Sequence, residues 1–235
     1  MRLSDFSALT FDCYGTLIDW ERGMLDALIP WRERCSVNVD EAALLTLYAR
    51  YETVIQTESP FLSYRDVVAE VLVRMSKDLG APARREELDK FGYSVGTWPP
   101  FSDSREALAY LQEHFLLTAI TNVDNASFKR THELLGNPFR LIVTADDVGS
   151  YKPAFENFRY AFMRLAERGV ACNKILHVAQ SLYHDIAPAQ ALGLANVWIN
   201  RQTGRGAGMT PPSDAQPDLC VKTIAELVAV HRAEN

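Results

Sequence analysis

The fold of this chain follows from one stretch of sequence, Leu9-Thr10-Phe11-Asp12-Cys13-Tyr14-Gly15-Thr16-Leu17-Ile18-Asp19-Trp20. Its first apolar residues predict a short buried strand that ends at Asp12, and Gly15 then permits a sharp turn. Open α/β sheets bind ligands at the carboxyl ends of their central strands, which is where Asp12 would lie. Alone, Asp12 is also compatible with a turn-capping role, which is common for aspartate, so its function depends on the rest of the chain.

The composition is that of an ordinary soluble protein. The chain has 235 residues, of which 48% are hydrophobic and 23% charged, and this supports a sizeable core. A net charge of -6 argues against a nucleic-acid partner. A small anionic substrate stays compatible with this charge because a local basic cluster can outweigh the net charge.

The cysteines and the apolar runs indicate the compartment. Cys13, Cys35, Cys172 and Cys220 show no metal-binding pair such as Cys-x-x-Cys, and scattered thiols favour a reducing cytoplasm. The first residues do not have the pattern of a signal peptide. No apolar run approaches the roughly 20 residues of a membrane-spanning helix, so we expect no membrane partner.

The hydrophobic pattern divides the chain into a core and a helical insertion. Residues 20–93 show helical spacing and no strand, whereas residues 1–19 and 94–235 alternate between strands and helices. Alternation of this kind predicts an α/β fold with a doubly wound, Rossmann-like parallel sheet covered on both faces. Residues 200–217, rich in Gly, Pro, Arg and Ser, are predicted to form a long loop.

Polar residues follow each predicted strand of the core and should converge at one edge of the sheet. Besides Asp12 they are Thr121-Asn122, Lys152-Pro153 and the segment from Gln180 to Asp185. Each has an ordinary structural explanation, since Thr and Asp cap helices and most lysines are solvated. Their common order along the chain is what favours a shared site.

Taken together, these residues resemble the motifs of the haloacid dehalogenase superfamily. The order is Asp12-x-x-x-Thr16, then Thr121-Asn122, then Lys152-Pro153, then Asp185. The form Asp-x-Tyr-Gly-Thr-Leu is similar to the L-2-haloacid dehalogenase branch. The resemblance covers nearly the whole chain, and it implies an α/β core (1–19 and 94–235) with an inserted helical cap (20–93) over the active site.

The resemblance also implies a role for each residue. Asp12 would be the covalent nucleophile, with Thr16 orienting its loop and Lys152 keeping it charged and holding an anionic substrate. Asp185, with Lys152, would position or activate the water that hydrolyses the ester. The implied substrate-binding residues are Tyr14, Thr121, Asn122, Ser181 and a cap arginine for the halide, Arg50, with Arg65 behind it.

Two substitutions distinguish displacement at carbon from displacement at phosphorus. Superfamily phosphatases carry a second Asp where this chain has Tyr14, and Gly-Asp where it has Ala179-Gln180. Those acids protonate an alcohol leaving group and hold magnesium. Halide is a weak base that leaves without a proton, so we expect hydrolysis of short (S)-2-haloacids with no metal or other cofactor.

Several departures from the branch leave alternatives open. Phe158 stands where a Tyr is usual, Leu182 lies in the altered fourth motif, and Glu52 is unsuited to a halide site. The alternatives are a magnesium-dependent phosphatase of small phosphate esters and a binding protein without activity. A homodimer through the cap or core helices also stays open.

A few residues are assigned no direct role from the sequence alone. His177, inside a predicted strand, is interpreted as a buried structural residue, and His184 as a neighbour of Asp185. Arg201 and Arg205 lie in the Gly-rich loop and are predicted to be solvated. Trp98 and Phe101 are assigned to packing near the hinge of the cap.

Overall fold

One parallel sheet forms the centre of the protein in the computed structural model, which describes residues 1–201 and 213–234. Its strands within these ranges are β1 (Ala8–Phe11), β2 (Leu116–Ile120), β3 (Leu141–Val143), β4 (Ile175–Ala179), β5 (Ala195–Ile199) and β6 (Leu219–Val221). The strands lie in the order β3-β2-β1-β4-β5-β6. This order is that of a doubly wound Rossmann-like sheet, which confirms the predicted fold class.

Helices follow the strands and also fill the long connection between β1 and β2. The helices of the connection are α1 (Trp20–Cys35), α2 (Glu41–Glu58), α3 (Tyr64–Asp78) and α4 (Arg85–Ser94). Those of the core are α5 (Ser104–Leu111), α6 (Asn125–Leu134), α7 (Ala145–Val148), α8 (Phe155–Ala166), α9 (Ala187–Ala191) and α10 (Ile224–Arg232). Helices α1–α4 are the predicted helical cap, and the bounds 20–93 stay a prediction. No helix in these ranges is long and apolar enough to cross a membrane.

Strand β1 lies inside the sheet, and every one of its residues is buried, as expected for a strand covered on both faces. It pairs in parallel with β2 on one side and with β4 on the other. The direction in which the strands are added reverses between β1 and β4. A crevice therefore opens at the carboxyl ends of these two strands, directly after Asp12.

The alternation of strands and helices in the core agrees with the sequence prediction, whereas two short helical turns were not predicted. Helix α7 and a π-helical turn at Leu182–Ile186 were not predicted, because four or five residues are too few to show helical periodicity. The predicted loop at 200–217 lies mostly outside the described residues, and Arg205 lies wholly outside them.

The cap joins the core through close packing at Trp98. This side chain is buried, and its indole Nε1 donates to Ser94 Oγ at 3.0 Å. Gly23 of α1 lies so close to the indole that an added Cβ would overlap the ring. The glycine is therefore required by packing, because well-packed interiors leave no room for an extra methyl group.

We predict that Gly23→Ala destabilises the protein although alanine is the better helix former. Overpacking against the buried Trp98 should lower the free energy of unfolding by about 1–3 kcal/mol, measured by urea denaturation. The control is Glu33→Ala on the same helix. Glu33 is exposed, and its replacement should change the free energy of unfolding by less than about 0.5 kcal/mol. A Gly23→Ala protein as stable as the Glu33→Ala protein would contradict the packing argument.

Candidate active site

Asp12 follows β1 and is fixed by contacts to both of its carboxylate oxygens. Thr16 Oγ1 donates to Oδ2 at 2.5 Å, and Lys152 Nζ donates to Oδ1 at 2.8 Å. The turn between Asp12 and Thr16 depends on Gly15, whose φ of +94° is in the region that favours glycine. Both Asp12 and Thr16 are buried and lie in contact, whereas their roles as nucleophile and orienting residue stay predictions.

Lys152 is the centre of the site because its ammonium bonds to three groups. Besides Asp12 it donates to Asp185 Oδ1 at 2.7 Å and to the carbonyl oxygen of Ile120 at 3.0 Å. An ammonium has three protons, so its donor capacity is filled. Lys152 therefore joins the ends of β1, β2 and the segment after β4. It would have to give up one of these bonds to bind a substrate anion directly.

The charges in this cluster follow from burial and from the shared ammonium. Burial alone would lower the pKa of Lys152, but the two carboxylates raise it above its usual range, so the ammonium stays charged. Burial would raise the pKa of Asp185, but the charge of Lys152 and the contact with His177 lower it. For Asp12 burial outweighs Lys152, and its pKa is raised. With both carboxylates ionised the cluster carries one net negative charge.

Asp185 is held on its other side by His177 of β4. His177 Nε2 lies 3.1 Å from Asp185 Oδ1, and Nδ1 lies 2.9 Å from Thr10 Oγ1. The second oxygen of Asp185, Oδ2, is buried and has no hydrogen-bond partner among the described residues. Asp185 lies in the π-helical turn, which begins where Ser181 Oγ accepts from the backbone N–H of His184 at 2.9 Å. The sequence interpretation of His177 as purely structural missed its contact with Asp185.

Tyr14 and Thr16 are tied to the surrounding core. The Tyr14 hydroxyl lies 2.7 Å from Thr131 Oγ1, and burial raises the pKa of the phenol well above its usual value. Thr16 Oγ1 accepts from the backbone N–H of Gln180 at 2.9 Å. The Arg201 guanidinium donates to the Thr16 carbonyl at 2.7 Å, so the prediction that Arg201 is solvated was wrong. The Arg201 side chain is largely buried and pairs with Asp103. Its bond to the Thr16 carbonyl helps to hold the loop that follows Asp12.

Asn122 lines the cavity and bonds to the Lys152 backbone, whereas Thr121 does not line it. Asn122 Oδ1 accepts from the Lys152 backbone N–H at 2.7 Å, and its Nδ2 donates to the Lys152 carbonyl at 3.2 Å. This pair of bonds fixes the backbone from which the Lys152 side chain extends. Thr121 is buried beside the site, and its backbone N–H bonds to the Val143 carbonyl at 2.9 Å. Thr121 does not line the cavity, so its assignment as a substrate ligand stays a prediction without a contact to support it.

A cavity of about 90 Å³ lies between the core and the cap, with room for several waters or one small substrate. The core residues that line it are Asp12, Tyr14, Asn122, Val123, Lys152, Ser181, His184 and Asp185. The cap residues that line it are Trp20, Ala49, Glu52, Thr53, Gln56 and Tyr64. Most of the predicted site residues therefore meet at one cavity, at the edge of the sheet where the strand order reverses.

The cap arginine is where the structure departs from the prediction. Arg50 is exposed on α2, with its guanidinium 5.4 Å from the centre of the Tyr51 ring, and it does not line the cavity. Arg65 does not line it either; its Nη1 donates to the Tyr93 hydroxyl at 2.9 Å. Helix geometry explains the placement of Arg50, because the cavity-lining face of α2 repeats every three to four residues and excludes position 50.

Glu52 is the cap residue that the sequence interpretation undervalued. It lines the same cavity as Asp12 and accepts a hydrogen bond from the Tyr64 hydroxyl. Burial raises the pKa of Glu52 to about 7, so near neutral pH it is divided between the acid and the carboxylate. The signal in the sequence was the spacing Ala49, Glu52, Thr53 and Gln56, which places these four residues on one face of a helix.

The donor set does not fit a magnesium ion. Magnesium prefers octahedral coordination by carboxylate and water oxygens. In this structure the Lys152 ammonium already occupies the position between Asp12 and Asp185, and Tyr14 and Gln180 offer no charge where further acids would be required. Across residues 1–201 and 213–234, no group of three or more His, Cys, Asp or Glu side chains is arranged to hold a metal ion.

Comparison with known proteins gives a consistent family assignment. A family model described as haloacid dehalogenase-like hydrolase matches residues 6–193. A phosphoserine phosphatase of Thermus thermophilus is 27% identical over 210 residues, which are 84% of this chain and 76% of that protein.

Solved structures of similar fold include an L-2-haloacid dehalogenase and a HAD-hydrolase. The L-2-haloacid dehalogenase of Xanthobacter autotrophicus with chloropropionic acid covalently bound superposes with a TM-score of 0.79 at 16% identity, covering 98% of this chain and all of that one. The HAD-hydrolase YfnB of Bacillus subtilis, bound to magnesium, gives a TM-score of 0.78 at 20% identity, covering 99% and 100% of the two chains. At these identities the likeness shows the fold alone.

We predict that Lys152→Met is strongly destabilising in a pH-dependent way. Removing the cation leaves two buried carboxylates unpaired, which should cost about 3–5 kcal/mol of unfolding free energy near neutral pH. The loss should shrink as the pH falls into the usual range of aspartate, because protonated carboxyls no longer need the cation. Urea denaturation at several pH values measures it.

The control for this prediction is Lys90→Met. Lys90 is an exposed lysine of α4 paired with Glu86, and its replacement should leave the stability close to that of the native protein at every pH. A loss in Lys152→Met that stays constant with pH would contradict the shared-cation account.

Proposed function

Because this chain belongs to the haloacid dehalogenase-like hydrolases, we propose that it releases halide from short (S)-2-haloacids through a covalent ester on Asp12. The observation that carries the proposal is the Lys152 ammonium bonded to both Asp12 and Asp185, beside a neutral Tyr14. This set supplies a charged nucleophile and a second carboxylate for the water. It supplies neither a metal site nor a second acid at position 14.

In the first step a carboxylate oxygen of Asp12 attacks C2 of the haloacid. The new C–O bond forms as the carbon–halogen bond breaks, and the halide leaves with the electron pair, which inverts the configuration at C2. Lys152 favours the ionised nucleophile through its contact at 2.8 Å. The backbone N–H groups of Cys13 and Asn122 make no hydrogen bond to another described residue, and they are available to the substrate carboxylate.

In the second step water attacks the ester carbonyl carbon of Asp12. The unpartnered Oδ2 of Asp185 can accept the proton of this water, and His177 holds Asp185 in position through Oδ1. Cleavage of the acyl C–O bond expels the alkoxide of the 2-hydroxy acid, which takes the proton held by Asp185, and the second proton of the water is lost to solvent as the Asp12 carboxylate reforms. Overall, one haloacid and one water give one hydroxy acid, one halide and one proton.

The leaving group is what favours carbon over phosphorus. A phosphate ester releases an alkoxide, which needs a proton from a well-placed acid. The raised pKa of Tyr14 makes that phenol a weak proton donor, and its hydroxyl is already bonded to Thr131. Halide needs no proton, so a neutral residue at position 14 costs the displacement nothing.

The second candidate function is magnesium-dependent hydrolysis of small phosphate esters. The observation in its favour is the similarity to a phosphoserine phosphatase over 84% of the chain. Hydrolysis of p-nitrophenyl phosphate that requires magnesium and stops with EDTA would support this candidate. The same assay without magnesium dependence, or without turnover, would remove it.

The setting we propose is a reducing cytoplasm with a small anionic substrate and no nucleic-acid or membrane partner. All four cysteines are unpaired, which is the usual state of thiols in that compartment. The small volume of the cavity also favours a low-molecular-weight substrate. The proposed steps do not depend on the oligomeric state, because every residue used above comes from one chain.

We predict halide release from (S)-2-chloropropionate in the presence of EDTA, and its loss in Asp12→Asn. The carboxamide is a poor nucleophile, so the rate should fall by a factor of at least about 10³, followed by an ion-selective electrode. The control is Asp89→Asn, an exposed residue of α4 paired with Arg85, which should keep the native rate. Release of halide by Asp12→Asn at the native rate would contradict the proposal.

We further predict that Asp185→Asn accumulates the ester. Without the carboxylate that accepts the water proton, the second step should slow more than the first. Mass spectrometry should then show one added 1-carboxyethyl group from the substrate, located by digestion on the peptide that contains Asp12, and halide release should show a burst of about one halide per protein. An unmodified Asp185→Asn protein that still turns over would place Asp185 outside the hydrolytic step.

A further inference from the structure

The cap contributes an acidic wall to the cavity instead of a basic one. The face of α2 toward the cavity consists of Ala49, Glu52, Thr53 and Gln56, and no Lys or Arg of the described cap residues lines the cavity. The only cation among the lining residues is Lys152, whose three protons are already bonded. A substrate thus meets a carboxyl group where the resemblance would place a guanidinium.

Glu52 is held in position by hydrogen bonding to buried residues of the cap. Tyr64, buried on α3, donates its hydroxyl to Glu52 Oε1, and the same hydroxyl lies 3.3 Å from that of Tyr48, also buried. Glu52 Oε2 makes no hydrogen bond with another described residue and is free for a ligand. The Gln56 carboxamide, one turn further along α2, is likewise without a partner in the described chain. Two free polar groups of the cap thus line the cavity near each other.

We propose that Glu52 determines the substrate class by binding an ammonium group on the substrate carbon next to C2. The inference rests on the proposed function, since it names the haloacids that the site would accept: 2-haloacids with an ammonium at C3. Such a molecule carries a carboxylate for the backbone N–H groups near Asp12 and a cation for Glu52. Glu52 is then a specificity-determining residue, with no part in bond making.

The balance of charge favours an ammonium over an apolar group or a second anion. Asp12, Asp185 and Glu52 can carry three negative charges against the one positive charge of Lys152. His184 adds none, because burial lowers its pKa to about 4. Either ligand adds a fourth negative charge through its carboxylate, but only the zwitterion also brings a cation to the acidic wall. The net charge of the site is therefore unchanged by the zwitterion and one unit more negative with the plain haloacid, and unpaired buried charge is costly.

The proposal also predicts how binding depends on pH. The ionisable groups around Glu52 are Tyr48 and Tyr64 from the cap, Tyr14 and Tyr151 from the core, and Asp12, Asp185, Lys152 and His184 across the cavity. The four phenols have raised pKa values and stay neutral. Glu52 therefore changes its charge near pH 7. An ammonium ligand should bind more tightly as the pH rises through 7, and a purely anionic ligand less tightly.

The test compares two hydroxy acids that differ only in this group. Isoserine (3-amino-2-hydroxypropionate) and 2-hydroxybutyrate have the same number of heavy atoms, and an ammonium in the first replaces a methyl group in the second. Calorimetric titration of each into native protein and into Glu52→Gln, from about pH 5.5 to about pH 8.5, keeps the ligand ammonium charged. Glu58→Gln is the control, since Glu58 is exposed on the same helix, pairs with Arg74 and does not line the cavity.

We expect native protein and Glu58→Gln to bind isoserine about tenfold to 100-fold more tightly than 2-hydroxybutyrate at pH 8. This factor corresponds to one charge-assisted hydrogen bond. The preference should grow with pH in both and should vanish in Glu52→Gln. Equal affinities in native protein, no binding of isoserine, or a preference that survives in Glu52→Gln would each overturn the inference. If Glu52→Gln does not fold, the pH dependence of the two affinities in native protein decides the question: the affinity for isoserine should rise with pH and that for 2-hydroxybutyrate should fall. Binding is measured without turnover, so absence of dehalogenation would leave this result standing.

Discussion

The ammonium of Lys152 is the interaction on which the rest of the site depends. One buried cation is shared by Asp12, Asp185 and the Ile120 carbonyl. Asp12 and Asp185 follow β1 and β4, and Ile120 is the last residue of the adjacent strand β2. Two buried carboxylates so close together could not both stay ionised without this cation. The parallel sheet supplies the geometry, because its central strands end at one edge, and the buried ion cluster supplies the chemistry. Support from Thr16, His177 and Asn122 then fixes each partner in one orientation.

The cap completes the site from the opposite side and limits what can enter it. Its helices pack on the core near Trp98, and one face of α2 lines the cavity that contains Asp12. The cavity of about 90 Å³ lies between α2 and Asp12, and electrostatic contacts are stronger in such a pocket than in bulk water. The proposed selection by Glu52 follows from its position as the carboxyl group that the cap presents to this cavity.

The convergence of the core residues could be predicted from the sequence, whereas for the cap the sequence groups residues on one face of α2 without showing that this face lines the cavity. Asp12, Lys152 and Asp185 follow buried strands, and parallel strands bring their carboxyl ends together whatever the details of packing. Arg50 is exposed and does not line the cavity, because helical phase places Glu52 and not Arg50 on the inner face of α2. For His177 the sequence gives no signal of the group that its ring contacts, because that group lies outside the local pattern of the strand. The short turns at α7 and Leu182–Ile186 were missed because they contain too few residues to show a period.

Covalent participation of Asp12 without a metal ion is the central claim, and isotopic oxygen tests it most directly. A single turnover of (S)-2-chloropropionate with excess protein in ¹⁸O-water and EDTA separates the two oxygen sources. The account predicts that the lactate of this first turnover contains ordinary oxygen, taken from Asp12, and that ¹⁸O appears in the Asp12 carboxylate. Lactate labelled with ¹⁸O in the first turnover, with Asp12 unlabelled, would show direct attack by water and would contradict the account.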